Sequence, residues 1–133
     1  NREFPEEGLP AFGIVSTVQD MTKWNFLLHN GKILQDKFYD LLIKPSAFSQ
    51  HIAFGEEKMG YGYNIRIAEQ NGVNYVGHTG LGQGFTALNV YFPEENISLV
   101  VLENLMSADA KDWYKFEILL KEELIRQISE SKK

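Results

Sequence analysis

The sequence predicts an α+β domain: an antiparallel sheet covered by a carboxyl-terminal helix and preceded by two helices. Three observations predict it. Apolar residues in the first third recur at helical spacing, residues 60–104 switch to extended runs broken by turn residues, and residues 109–129 return to a helical period. At 133 residues, 44% apolar and rich in Phe and Tyr, the chain is one domain in size and can bury a core. No repeat, linker or low-complexity tract divides it. Residues 1–133 therefore read as a single domain or fragment, helical over 1–58, stranded over 59–104 and helical again over 105–133.

The elements follow in order. Pro5, Gly8, Pro10 and Gly13 make residues 1–13 an irregular lead-in. In "STVQDMTKWNFLLHNG", Thr17 is a helix cap with Asp20 in capping-box position, and Gly31 suits the stop. Val18, Met21, Trp24 and Leu28 carry the helical spacing. "LQDKFYDLLIKP" is a second helix ended by Pro45, and residues 46–58 read as a loop. "YGYNIRIAEQ" and "VNYVGH" are strands joined by Asn71 and Gly72, a strong short hairpin signal. "GFTALNVYF" and "ISLVVLEN" form a second hairpin around residues 93–96. From Asp109 to about Ser129 an amphipathic helix has Trp113, Phe116, Leu120 and Leu124 as its expected buried stripe.

Composition excludes several functions. A net charge of −5, with Lys and Arg dispersed, gives no footprint for nucleic acid. The absence of cysteine removes disulfides and thiolate metal sites. No apolar run approaches the roughly 20 residues that span a bilayer. The amino-terminal "NREFPEEGLP" has neither the basic nor the apolar region of a signal peptide. Of three histidines, His29 ends a helix, where a cation suits the dipole, and His51 lies in a loop. Neither falls in a metal-ligand spacing, so no metal and no cofactor is expected.

His78 has a different setting. In "NYVGHTGLGQGF" it ends a strand and is followed by Thr79, Gly80, Gly82 and Gly84. Glycines there let a backbone or ligand approach closely, and an imidazole beside a hydroxyl can hold a carboxylate or move a proton. The local pattern equally fits a glycine-rich turn with polar side chains.

The order "GIVSTVQDMTKW", "MGYGYNI", "YVGHTGLGQGF", "VVLEN" over residues 12–104 resembles the carboxyl-terminal half of the serine β-lactamase-related family, which includes class C β-lactamases, D,D-peptidases (penicillin-binding proteins) and esterases. That resemblance implies a partial β-lactamase/transpeptidase-like fold. His78, Thr79 and Gly80 match the family's third motif, Lys-Thr-Gly or His-Thr-Gly. There the strand lines the acyl-enzyme cleft, and its side chains bind the substrate carboxylate and support proton transfer. Leu81 falls where the family uses a backbone N–H as an oxyanion-hole donor, worth about 3 kcal/mol in comparable enzymes. The implied substrates are a β-lactam, a D-alanyl or other peptidoglycan-type peptide, or an ester, and the implied location is the bacterial envelope or outside the cell.

The rest of the family's machinery is absent from the sequence. No tyrosine is followed two residues on by Asn, and the lone Ser-x-x-Lys, Ser129 to Lys132, lies downstream of the third motif rather than far upstream. The expectation is the carboxyl-terminal portion of a serine hydrolase, inactive alone and lacking its amino-terminal half. The apolar edge of residues 97–102 would then favour self-association. The alternative is a non-catalytic β-lactamase-like binding module.

Overall fold

Thr17 caps the first helix as the sequence requires: its Oγ1 accepts the Asp20 N–H at 3.1 Å. In this computed structural model, which describes residues 14–48, 54–55, 59–82 and 84–133, that helix is α1, Val18–His29. It closes where the Lys32 N–H reaches back to the Leu27 carbonyl at 2.9 Å. Helix α2 is Asp36–Leu42, shorter at both ends than its sequence pattern.

Six strands follow: β1 Ala47–Phe48, β2 Gly60–Tyr61, β3 Arg66–Gln70, β4 Val73–Leu81, β5 Thr86–Phe92 and β6 Ile97–Glu103. They form one sheet in sequence order, each antiparallel to the next. The β3–β4 turn places both Asn71 (φ 53°) and Gly72 (φ 75°) in the left-handed region that a tight hairpin needs. Strands β1 and β2 are two residues each, too short to leave an alternation in the sequence. The final helix, α3, is Lys115–Ser131. It begins later than Asp109, which instead caps a 3₁₀ turn, Ala110–Asp112.

Both faces of the sheet are covered. On one, Tyr75, Leu88, Val90 and Phe92 pack with Ile125 and Ile128 of α3. On the other, Ile65, Val76 and Tyr91 meet Leu42 and Ile43 of the α2 end. Helix α1 lies on this second face through a polar contact. Asn25, 2% exposed, donates its amide to Asn89 Oδ1 at 2.5 Å and Ser98 Oγ at 2.7 Å.

The structure corrects several sequence expectations: the run 61–70, read as one strand, is broken over 62–65 into β2 and β3; the strand read as ending at His78 continues to Leu81; and residues 47–48 of the expected loop pair as β1. Helix α3 buries Glu117, Lys121, Ile125 and Ile128, while Phe116 is 55% exposed and Leu120 also faces outward. The stripe is rotated because its two buried polar side chains find partners inside, although Glu117 Oε2 has none among the described residues. Lys121 Nζ donates to the Phe54 carbonyl (2.6 Å), Gln70 Oε1 (2.9 Å) and Tyr75 Oη (3.3 Å), and Glu117 accepts from Thr86 Oγ1. In α1, Val18 and Trp24 are exposed and Asn25 is the buried residue. His29 is not a helix-end cation: its ring stacks on Tyr91 with centroids 4.2 Å apart, and burial lowers its pKa from 6.5 to about 4. His51 lies outside the described residues.

Candidate active site

Strand β4 outruns its neighbour. Pairing with β3 ends at Arg66 opposite Gly77, whereas pairing with β5 continues to Leu81 opposite Thr86. Residues 78–81 therefore have β5 on one side and no paired strand on the other, among the described residues. Gly77 marks the point of departure. A Cβ there would lie 2.0 Å from the Asn89 carbonyl oxygen, so only glycine lets β5 come this close.

The register also fixes where the backbone of this overhang points. The Gly82 N–H donates to the Phe85 carbonyl at 2.9 Å. Hydrogen-bonded and non-bonded pairs alternate along an antiparallel ladder. Leu81 opposite Thr86 and Thr79 opposite Leu88 are thus non-bonded pairs, and their N–H and C=O groups are directed away from β5, toward the open side.

The side chains converge on the same side. His78 folds back so that Nδ1 lies 2.6 Å from the outward carbonyl of Thr79. A carbonyl only accepts, so Nδ1 carries a proton. Nε2 faces Tyr61 Oη at 3.0 Å, and Tyr61 Oη is 3.1 Å from Asn64 Oδ1. Arg66, buried at the start of β3, donates from Nη1 to Thr79 Oγ1 at 2.6 Å. The same Nη1 sits 3.4 Å from His78 Nδ1, a cation beside a nitrogen that is already a donor. Burial lowers the Arg66 pKa, with Tyr61 and Tyr114 opposing. Tyr114 closes the cluster. It is the left-handed N-cap of α3 (φ 62°), is hydrogen-bonded to Thr79, and has its pKa raised by burial.

These contacts tie three elements, β2, β3 and the start of α3, to one short strand end. Three of the four sequence-selected positions, His78, Thr79 and the Leu81 backbone, lie on the open side together. Gly80, opposite Ala87 in the ladder, is a spacer whose N–H belongs to the β5 pairing. Tyr61, Asn64, Arg66 and Tyr114 were not selected from sequence. Arg66 carried one signal: a cation inside an otherwise extended, half-apolar run. The others become relevant only once β2 and α3 are docked.

Beside this cluster, Glu117 and Glu103 both contact Thr86 Oγ1, Glu103 at 3.2 Å. Thr86 and Glu103 also line an open cavity of about 560 Å³ whose apolar wall includes Leu105, Trp113, Phe116 and Leu119. The Ser-x-x-Lys of the sequence is elsewhere. Ser129 Oγ donates to the Asn71 carbonyl at 3.3 Å, at the far end of α3, and Lys132 pairs with Glu94 and Glu95.

Residues 1–120 match the protein-family model described as Beta-lactamase. No curated protein sequence matches the chain. Solved structures share its fold, two of them as follows. The octameric penicillin-binding protein homologue from Pyrococcus abyssi aligns with a TM-score of 0.60 at 26% identity, over 80% of this chain and 24% of that one. The D-amino acid amidase from Ochrobactrum anthropi SV3, solved with D-phenylalanine, aligns with a TM-score of 0.63 at 21% identity, over 84% of this chain and 36% of that one. The chain thus spans well under half the length of either.

Proposed function

The chain belongs to the beta-lactamase family, and from that premise we propose that it supplies one wall of an acyl-transfer cleft in a serine hydrolase whose nucleophile lies in another part of the protein. The observation that carries this reading is the overhang of β4. It combines an outward Leu81 N–H with the imidazole of His78 and the hydroxyl of Thr79 on one unpaired edge.

Acyl transfer through a serine builds negative charge on the carbonyl oxygen, and a fixed backbone N–H directed at it stabilises the transition state. Leu81 is the donor in this reading. An extended substrate can lie along residues 78–81 as an added strand, with its main chain meeting outward groups. His78 handles a proton, and Thr79, held by Arg66, offers a hydroxyl to an anionic or amide group of the substrate. The substrate class is an amide, peptide or ester with a D-configured residue, drawing on the D-amino acid amidase as a fold relative. A β-lactam is the cyclic version of the same acyl donor.

The nucleophile decides the matter. Sequencing the reading frame upstream of Asn1 should reveal Ser-x-x-Lys at a helix start and Tyr-x-Asn after it. Finding both supports the hydrolase. An open reading frame that encodes neither overturns it, and the non-catalytic binding module takes its place.

A further inference from the structure

We propose that Tyr61 is the proton-relay partner of His78, a positioning residue whose hydroxyl changes its donor direction as the imidazole gains or loses a proton at Nε2. Only the turnover part of the test below rests on the proposed function.

Among the described residues, the shortest contacts of His78 fit two hydrogen-bond arrangements. In both, Nδ1–H donates to the Thr79 carbonyl at 2.6 Å, which reserves Nε2 for titration. In the neutral imidazole, Nε2 has a lone pair and accepts the Tyr61 O–H across 3.0 Å. Asn64 then turns its amide NH₂ toward Tyr61 Oη. In the imidazolium, Nε2–H donates to Tyr61 Oη, whose own hydrogen rotates to Asn64 Oδ1 at 3.1 Å. One proton is added to Nε2, one hydroxyl rotates, and no covalent bond other than N–H is made or broken.

A phenol suits this task because it both donates and accepts. A phenylalanine could do neither, and a lysine could only donate. The ring is held by its surroundings. Tyr61 pairs with Arg66 in the β2–β3 ladder and with Ala47 on the other side. Its ring meets His78 edge-on at 79°, with centroids 6.0 Å apart. The turn that brings Asn64 back is closed by the Gly62 N–H to the Ile65 carbonyl at 2.9 Å, with Asn64 left-handed at φ 56°.

Among the described residues, the charged and titratable groups that meet His78 include Tyr61 on β2, Arg66 on β3 and, through Thr79, Tyr114 at the start of α3. Arg66 opposes a second positive charge 3.4 Å away. Tyr61 favours it by accepting Nε2–H. Hydrogen bonds involving an ion are about twice as strong as neutral ones, so removing the phenol costs the imidazolium more than the imidazole. Loss of Tyr61 therefore makes His78 harder to protonate.

The test uses the protein expressed from its complete reading frame with ¹⁵N-labelled histidine, His78→Gln serving to assign the signals. Long-range ¹H–¹⁵N spectra across a pH series should show neutral His78 protonated at Nδ1, with Nε2 titrating. Tyr61→Phe should lower the His78 midpoint by about half a unit or more, roughly a threefold loss of proton affinity. Asn64→Ala should move it the same way by less. A neutral His78 protonated at Nε2, or a midpoint unmoved or raised in Tyr61→Phe, overturns the relay. Should Tyr61→Phe fail to fold, the unsubstituted protein's tautomer and Asn64→Ala decide. If the protein turns over acyl substrates, the acidic limb of its pH profile should shift with the His78 midpoint, and a limb that stays put in Tyr61→Phe also overturns the relay. Spectra as expected without turnover leave the relay standing and the hydrolase refuted.

Discussion

Arg66 is the residue on which the candidate site depends most. Its 2.6 Å bond to Thr79 Oγ1 is charge-assisted, and its guanidinium lies buried, 5.8 Å from the Phe54 ring centroid. Arg66→Met preserves much of the stem packing but removes the donor, leaving Thr79 without it. The expected loss is about 1.5–3 kcal/mol, read as a lower midpoint in chemical denaturation with an unchanged slope. Arg66→Lys should recover little of it, because a point charge cannot reproduce the planar fork. His78 is expected to behave differently. It is half-buried and its contacts are mostly polar, so His78→Ala in the complete protein should lower acylation by about 10²-fold or more while shifting stability little. Unchanged acylation with a lowered melting temperature would reduce His78 to a structural residue.

At the scale of elements, the contact between the helical pair and the sheet carries a pH dependence. His29 ends α1, stacks on Tyr91 of β5, and has Nδ1 2.7 Å from Tyr39 Oη of α2. Its pKa falls from 6.5 to about 4 on burial. Above pH 6.5 the folded and unfolded chains are both neutral at this residue. As pH falls from 6.5 toward 4 the unfolded chain binds a proton and the folded chain does not, so stability declines through that window and levels below it. The ring is partly exposed, so the effect should be about 1–2 kcal/mol after solvent screening. His29→Asn should flatten the pH dependence of the melting temperature between 6.5 and 4, and a slope identical to the parent's would remove His29 as its source. Tyr39 acts at the other extreme. Burial, then Tyr91 and Asp40, raise its pKa to about 12, so stability should also decline above pH 10.

The same elements explain what was legible in the sequence. The Thr17 cap and the turn at Asn71 and Gly72 depend on residues within three or four positions, and the structure forms both as expected. The strand region was legible because extended runs and turn residues agree, but the break over 62–65 was not, because it depends on Asn64 taking a left-handed conformation. The inner face of α3 was not, because apolar periodicity assigns charges outward. Glu117 and Lys121 point inward only because Thr86, Gln70, Tyr75 and the Phe54 carbonyl wait there. Lys121 is fully buried, so Lys121→Ala should cost about 3–5 kcal/mol, and Lys121→Met less because it refills the volume. A variant as stable as the parent would mean that those acceptors rehydrate freely. The site divides in the same way. His78 and Thr79 stand out as a motif, whereas Tyr61 and Arg66 acquire meaning from the register that joins β2, β3 and β4.

For the whole molecule, the unpaired outer side of β6 is the feature with the largest consequence. Strand β6 is the last of the sheet, and among the described residues nothing pairs with its outer edge. The alternation that turns Leu81 outward on β4 bonds residues 97, 99, 101 and 103 of β6 to β5, and directs the N–H groups of Ser98, Val100 and Leu102 away from it. Next to this edge Leu105, Phe116 and Leu119 expose apolar surface. An unpaired edge with apolar flanks is a template for another strand, whether from a second copy or from the remainder of a longer chain. Expressed as these 133 residues alone, the protein should therefore associate with rising concentration in sedimentation. In the associated form the amides of 98, 100 and 102 should gain protection from hydrogen exchange, and in dilute solution they should lose it while 99 and 101 keep theirs. Val100→Pro discriminates further, because it removes an outward donor and leaves the β5 ladder intact. It should yield a dilution-independent monomer of nearly parental stability. If the complete protein instead lays a strand of its own along this edge, Val100→Pro should destabilise that protein by several kcal/mol. A chain of 133 residues that stays monomeric at high concentration, with 98, 100 and 102 protected throughout, would mean that part of the chain already covers β6, and the edge would no longer be available to any partner.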